Sequence, residues 1–420
     1  MIQTIQVLPG VTLRCFPDGR FKQETISLQF VRPMCREEAA RNALLPAVLL
    51  QGCRSAPNMR AVSLRLDDLY GAAVSDVLRR VGDYQATGLR CGFLREDYAL
   101  PGEQIFQPML DFLQELLFFP KLENGVFCRE AVENEKRNLL AAIAAQQNDK
   151  RVYAGTRMVK LMCRGDTFGI PNLGEKEDVA AITPENLYAH YQKVLAQSPV
   201  NIFYVGAMNP EHLADHLRPI FAQIPRDPIT LPPQAPFRDL GGCRETEVMD
   251  VTQGRLCMGF ITPITLADPR FVAMQLFNAI FGNGMVSKLF MNLREKMSLC
   301  YDIGSSYRST KGILTVAAGI DSNMAAPAEA EIMRQLAACQ NGEITQAELD
   351  AAKEELLSGL RSVHDSPGAI EGYYATGALS GMTMTPAEYI RAVGAVTAAE
   401  VAEAAKSVRL HTVYFLRGAE

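Results

Sequence analysis

Tryptophan is absent from the 420 residues, and no histidine occurs before His190. The second absence bears on chemistry, because a base or metal ligand built on imidazole can come only from residue 190 onward. No run of 18 apolar residues is present, so no segment meets the length a bilayer-spanning helix needs. The opening residues, MIQTIQVLPGVTLRCFPDG, lack a basic start followed by an apolar stretch, and no secretory signal is read there. Ten cysteines are scattered from Cys15 to Cys339 without a Cys-x-x-Cys pair. Scattered thiols without an export signal are expected to be buried and reduced, in a cytoplasmic protein. A net charge of −5 excludes a strongly basic surface, so neither nucleic acid nor a membrane is expected as a partner.

What the chain has is a large apolar content, 48%, with 21% charged residues, as suits sizeable buried cores. Its length predicts two domains. Residues 224–236, Ile-Pro-Arg-Asp-Pro-Ile-Thr-Leu-Pro-Pro-Gln-Ala-Pro, hold five prolines and predict an extended linker. The expected division is 1–223, a linker over 224–239, and 240–420. The two sides share an order of patterns. Strands (10–15 and 22–31; 244–251 and 254–261) precede a helix (37–50; 270–281), further strand pattern (84–93; 301–320), paired helices (102–119 with 128–146; 326–340 with 345–362) and a closing strand (200–205; 412–416). Thr345-Gln-Ala-Glu348, Thr385-Pro-Ala-Glu388 and Thr397-Ala-Ala-Glu400 read as capping boxes. The fold class is therefore α+β, a tandem of two similar units, each an antiparallel-rich sheet with helices on one face.

The segment richest in chemistry is 282–301, Gly-Asn-Gly-Met-Val-Ser-Lys-Leu-Phe-Met-Asn-Leu-Arg-Glu-Lys-Met-Ser-Leu-Cys-Tyr. It reads as a glycine turn, a short helix with Arg294 in its last turn, and a strand headed by Tyr301. A guanidinium and a phenol together suit gripping a peptide carbonyl and donating to an oxyanion. The bland alternative is a helix-terminal arginine favoured by the dipole and a half-buried tyrosine. The glycine turn lacks the Gly-Lys-Ser/Thr of a phosphate loop.

Gly282-Asn-Gly284, Ser287-Lys-Leu-Phe290, Leu293-Arg-Glu-Lys296 and Leu299-Cys-Tyr301 resemble the Arg/Tyr segment of insulinase, or pitrilysin-type, zinc metallopeptidases. Phe168-Gly-Ile-Pro171, Leu173-Gly174, Ile182-Thr-Pro-Glu-Asn-Leu187 and Tyr204-Val-Gly206 follow the same family pattern in order. That resemblance implies a zinc site of the form His-x-x-Glu-His with a glutamate on a later helix. Anchored on Gly52, the motif falls on Ala43-Leu-Leu-Pro-Ala47. Ala43 and Ala47 fill the histidine slots and Pro46 the base slot, so no metal is expected in this chain. Glu133, in Glu133-Asn-Glu-Lys-Arg137, fills the remaining slot as a vestige, expected to be solvated or ion-paired.

His212-Leu-Ala-Asp-His216 imitates a zinc helix, but no third ligand is evident, and the string follows the closing strand. The resemblance thus implies a non-catalytic subunit of a heterodimeric zinc peptidase. Zinc would be expected in a homologous partner carrying the intact motif, peptide would be the substrate, and Arg294 and Tyr301 would act in trans. The chain is also similar to a bacterial subgroup associated with aminopentanol modification of elongation factor P. The alternatives are a structural or peptide-binding scaffold without a share in catalysis, and an autonomous metallopeptidase using His212 and His216.

Overall fold

The computed structural model describes residues 2–419. The chain forms two compact units. Unit 1 is built on a six-stranded sheet in the order β1-β2-β8-β3-β5-β4. Its strands are β1 (Gln3–Leu8), β2 (Val11–Pro17), β3 (Gln23–Pro33), β4 (Ala73–Val81), β5 (Tyr84–Leu94) and β8 (Val200–Gly206). All neighbours are antiparallel except β2 with β8. A short hairpin, β6 (Leu122–Glu123) with β7 (Val126–Phe127), stands apart. The helices are α1 (Arg36–Leu49), α2 (Met59–Asp67), α3 (Phe106–Phe118), most of α4 (Arg129–Asn148), α6 (Lys176–Ala180), α7 (Pro184–Gln197) and α8 (Pro210–Ala222).

Unit 2 carries a five-stranded sheet, β11-β12-β10-β13-β9. These strands are β9 (Arg244–Val248), β10 (Gly254–Ile261), β11 (Asp302–Arg308), β12 (Ile313–Ile320) and β13 (Arg409–Arg417). Only β13 with β9 is parallel. Its helices include α5 (Lys150–Met162), α9 (Phe271–Phe281), α10 (Ala325–Gln340), α11 (Gln346–Ser362), α13 (Pro386–Ala395) and α14 (Ala398–Ala405). α9 is apolar all round and buried almost throughout, as a core helix must be. The three capping boxes form as the sequence predicts, with Thr345, Thr385 and Thr397 each accepting from the N3 amide. The strand pattern over 301–320 is a hairpin, β11 and β12, rather than one run.

Period-two alternation places two kinds of residue on the two faces of the unit 1 sheet. Ile26, Leu28 and Phe30 of β3 join the main core under the helices. Ser27, Gln29 and Val31 turn to the opposite face, where Phe16, Phe203, Val205, Val81, Tyr84 and Ala86 also gather. Such a face cannot stay wet, and α12 (Pro367–Ser380) covers it with Ile370, Ala375 and Leu379. α12 also buries Glu371, which is only 1% exposed. Its carboxylate accepts from Gln29 Nε2 at 2.6 Å, Ser27 Oγ at 3.2 Å and Arg79 Nη2 at 3.0 Å.

Unit 2 solves the same problem with α5. Ala154, Met158 and Met162, spaced by four, pack on Cys257, Ile261, Tyr414 and Leu416. A β-carbon at Gly259 would lie 2.6 Å from Met162 Sδ and 2.9 Å from Met158 Sδ, so a larger residue there would push these side chains aside. The compact units therefore depart from the expected 1–223 and 240–420 division. Residues 144–169 belong to unit 2 and residues 364–379 to unit 1. Each sheet's second face is covered from the other half of the sequence.

Residues 225–243 form neither helix nor strand, as their prolines require. They are nonetheless held: the amides of Asp227 and Ile229 donate to the carbonyls of Ala196 and Gln197 at 2.9 Å, and the Tyr84 hydroxyl donates to Pro232 O.

α1 contains Pro46 in its interior, which removes the amide that the Asn42 carbonyl would accept from. Thr87 Oγ1 donates to that carbonyl instead, at 2.8 Å. The Asn42 side chain donates to Gln85 Oε1 at 2.9 Å and meets His190 Nε2 at 2.7 Å. Burial pushes His190 down to about 4, against the opposing pull of the Glu38 charge. Glu38 itself, pushed up by burial, is held at about 2 by hydrogen bonds from Arg32 and Lys193.

Two outcomes test this account. Glu371→Leu leaves Arg79 and Gln29 facing an apolar group and should cost about 3 kcal/mol in urea unfolding, with Glu371→Gln milder. For His190, the folded pKa lies below the unfolded value of 6.5, so the unfolded chain binds more protons between about 6.5 and 4. Stability present above this window is lost as pH falls through it. His190→Gln should remove about 2 kcal/mol of the difference in unfolding free energy between pH 7 and 4.5.

Candidate functional site

The expected zinc helix is α1. Ala43 and Ala47 lie four residues apart and half-buried, and both end in methyl groups. Pro46 is buried, and its ring offers no proton acceptor. Glu133 on α4 is half-exposed, with its carboxylate 3.2 Å from Lys136 Nζ. That ammonium is fixed by the carbonyls of Ala180 and Ile182, at 3.2 and 2.7 Å. One histidine does approach α1, His190, but it is buried and bonded to Asn42. The donor set on α1 does not fit zinc. Among the described residues, no three His, Cys, Asp or Glu side chains are grouped to hold a metal ion.

His212 and His216 share one face of α8, their ring centroids 4.5 Å apart. His216 Nδ1 faces the His212 carbonyl at 2.8 Å, and its ring packs edge-on to Phe106. Asp215, the would-be base between them, pairs with Arg218. The pair is thus tied into its own helix and neighbours.

The segment from Gly282 to Tyr301 is clamped at its base. The Ser305 amide donates to Gly282 O at 2.9 Å, and the Tyr301 amide to Gly319 O at 2.8 Å. Gly284 sits at φ +115°, where a side chain would be strained. Ser287 Oγ donates back to Gly284 O at 2.7 Å and so starts the helix. The fully buried Leu289 and Leu293 anchor one side of it. Over Phe290–Lys296 the helix widens to π geometry, with Met297 N–H reaching Asn292 O at 3.0 Å. Short π turns of this kind recur at functional sites. Ser298 at φ +51° then ends the helix and starts the path to β11.

Arg294 lies in the last turn of this helix, as the sequence predicts, with its guanidinium 4.8 Å from the Phe290 ring centre. Its Nε is 3.8 Å from Glu295. Tyr301, 57% exposed, stands just before β11. Its hydroxyl donates to Asp321 Oδ1 at 2.9 Å, and this hydrogen bond holds the phenol above its ordinary pKa. Met285, Val286, Met291 and Met297 of the same segment are exposed as well. A cation, a phenol and a set of flexible apolar side chains thus share one short stretch of surface sequence. That set suits contact with a polypeptide.

Asp321 was not foreseen. Twenty residues separate it from Tyr301 in sequence. The β11–β12 register pairs Asp302 with Gly319 and so brings Asp321 back beside the strand start. Splitting the 301–320 pattern into a hairpin would have revealed it.

Residues 181–356 match the peptidase M16 inactive domain. Over 411 residues, covering 98% of this chain and 96% of the relative, the sequence is 29% identical to the probable inactive metalloprotease YmfF of Bacillus subtilis. A crystal structure of a conserved protein from Enterococcus faecalis V583 superposes with a TM-score of 0.91 at 30% identity, covering 100% of this chain and 99% of that one. A peptidase M16 inactive domain from Pseudomonas fluorescens shares the fold, with a TM-score of 0.82 at 18% identity over 100% of this chain and 98% of its own. The chain belongs to the peptidase M16 family of insulinase or pitrilysin-type metallopeptidases and is similar to members of it described as inactive.

Proposed function

We propose that this chain is the non-catalytic subunit of a two-chain zinc peptidase. A homologous partner would hold the zinc, the water and the base. Arg294 and Tyr301 would bind the substrate peptide and stabilise its tetrahedral intermediate across the interface. The observation that carries this reading is the contrast within one chain: α1 offers two methyls and a proline, while Arg294 and Tyr301 are exposed on a segment clamped at both ends. An arginine fork and a neutral phenol suit a carbonyl and a developing oxyanion, where one donor is worth about 100- to 1,000-fold in rate. Zinc enters this reading only as the partner's cofactor.

A second reading, a peptide-binding or structural scaffold, draws on a specific fact. Both side chains already have partners within the chain, Arg294 with Phe290 and Glu295, and Tyr301 with Asp321. On that reading they are packing, and catalysis does not depend on them.

One assay separates the two. The chain should cleave nothing in a mixed peptide pool alone, and should restore turnover to an intact zinc-motif homologue from the same organism. Arg294→Ala and Tyr301→Phe should each lower kcat by about 100-fold or more, with complex formation unchanged by analytical ultracentrifugation. Full turnover with both variants favours the scaffold, and zinc-dependent cleavage by the isolated chain refutes both readings. The state of the phenol has its own check. Because Asp321 raises the Tyr301 pKa, Asp321→Ala should shift its ionisation to lower pH. Tyrosinate absorbance, taken as a difference against Tyr301→Phe, measures that shift.

A further inference from the structure

Unit 1 holds an open cleft of about 490 Å³ that the reading above does not use. Its size falls within the range of sites that take small ligands. The cleft lies between the C-terminal end of α1 and the first turns of α4, with the start of α2 and Lys121 at its rim. Val48 and Phe127 line it, only 4% and 2% exposed. Tyr188 and Tyr191 meet the Phe127 ring edge-on at 5.6 and 5.4 Å, so this apolar lining is braced from behind.

Two cations border the cleft, Arg60 and Lys121, against one carboxylate, Glu130. The chain segments that carry the cations are stapled together. Lys121 N–H donates to Gly52 O, and Arg54 N–H to Phe119 O, both at 3.0 Å. Asn58 caps α2 by accepting from the Ala61 amide at 2.9 Å. Lys121 has a partner in Glu123 at 3.7 Å, but both side chains are more than two-fifths exposed, and such a pair competes weakly with a ligand.

Two amides complete the lining. Gln51 Nε2 donates to Glu135 Oε1 at 2.5 Å, which leaves Gln51 Oε1 as an acceptor. Asn134 Oδ1 accepts from Arg137, which leaves Asn134 Nδ2 as a donor. One acceptor and one donor match the N–H and C=O of a single peptide unit.

We propose that this cleft binds a short peptide in which a carboxylate lies beside an apolar side chain. The carboxylate meets Arg60 and Lys121, the side chain rests on Val48 and Phe127, and the peptide unit bonds Gln51 and Asn134. This site shares no residue with the Arg294 segment, so it stands or falls independently of the proposed function.

Calorimetric titration of the full chain with three probes tests it: Ac-Ala-Ala-Phe-OH, the same peptide as its C-terminal amide, and Ac-Ala-Phe-Glu-NH2. The free acid should bind at least about tenfold more tightly than its amide, since that amide lacks the charge. Binding of the free acid alone assigns the carboxylate to a chain end, whereas equal binding of both acids admits a side chain too. Arg60→Glu and Lys121→Glu should each weaken the free acid by about tenfold, with melting temperatures unchanged. Ala131→Trp, which fills the cleft, should abolish binding of all three. Equal affinity for acid and amide, or no saturable binding, overturns the proposal. So does loss of binding in Arg294→Ala, which would move the ligand to the other segment.

Discussion

A sheet with apolar residues on both faces must be covered twice, and this constraint governs the architecture. In unit 1 the main helical layer leaves Phe16, Val31, Val81, Phe203 and Val205 still to be buried, and α12 buries them. In unit 2 the face carrying Cys257, Ile261, Tyr414 and Leu416 is closed by α5. Each covering helix comes from the other half of the sequence, so neither half by itself encodes a finished unit. Glu371 makes the first docking specific. A purely apolar helix could slide along a greasy face, whereas a buried carboxylate that needs Arg79, Gln29 and Ser27 fixes one register.

The same requirement, that buried polar groups find partners, explains how α1 tolerates a proline in its interior. Pro46 leaves the Asn42 carbonyl without its helical donor, and Thr87 supplies another from β5. Around that point Asn42 links Gln85 on one side to His190 on the other by hydrogen bonds. α1 is thus fixed by its own packing and by hydrogen bonds from its neighbours.

Much of the fold could be read from alternation and from caps, because both report local burial and local hydrogen bonds. β10 falls on the residues its pattern indicates, and α1, α9 and α10 begin within one residue of theirs. Periodicity says that a helix has an apolar stripe but not which surface the stripe meets. α5, which no pattern read from the sequence marked, shows this: its Ala154, Met158 and Met162 stripe meets the sheet of the other half. Glu371 shows the same limit, since a glutamate in a helix ordinarily reads as solvated. In the candidate segment, the place of Arg294 in the last helical turn and of Tyr301 just before β11 could be read from the sequence. The π turn that carries Arg294 and the carboxylate that holds Tyr301 depend on register and hairpin closure, which no short motif records.

The hydrogen bond from Tyr301 to Asp321 bears directly on what the phenol can do. A phenol has one proton, and here it points to a carboxylate rather than outward. If that pair were buried, redirecting the proton to a substrate would strand a charge, at a cost large enough to forbid the role. Both side chains are exposed, so water can take over at Asp321 when the hydroxyl rotates away. The carboxylate also keeps the phenol protonated, as a donor must be. Asp321 therefore leaves the proton on the Tyr301 phenol, and exposure is what lets another acceptor compete for it.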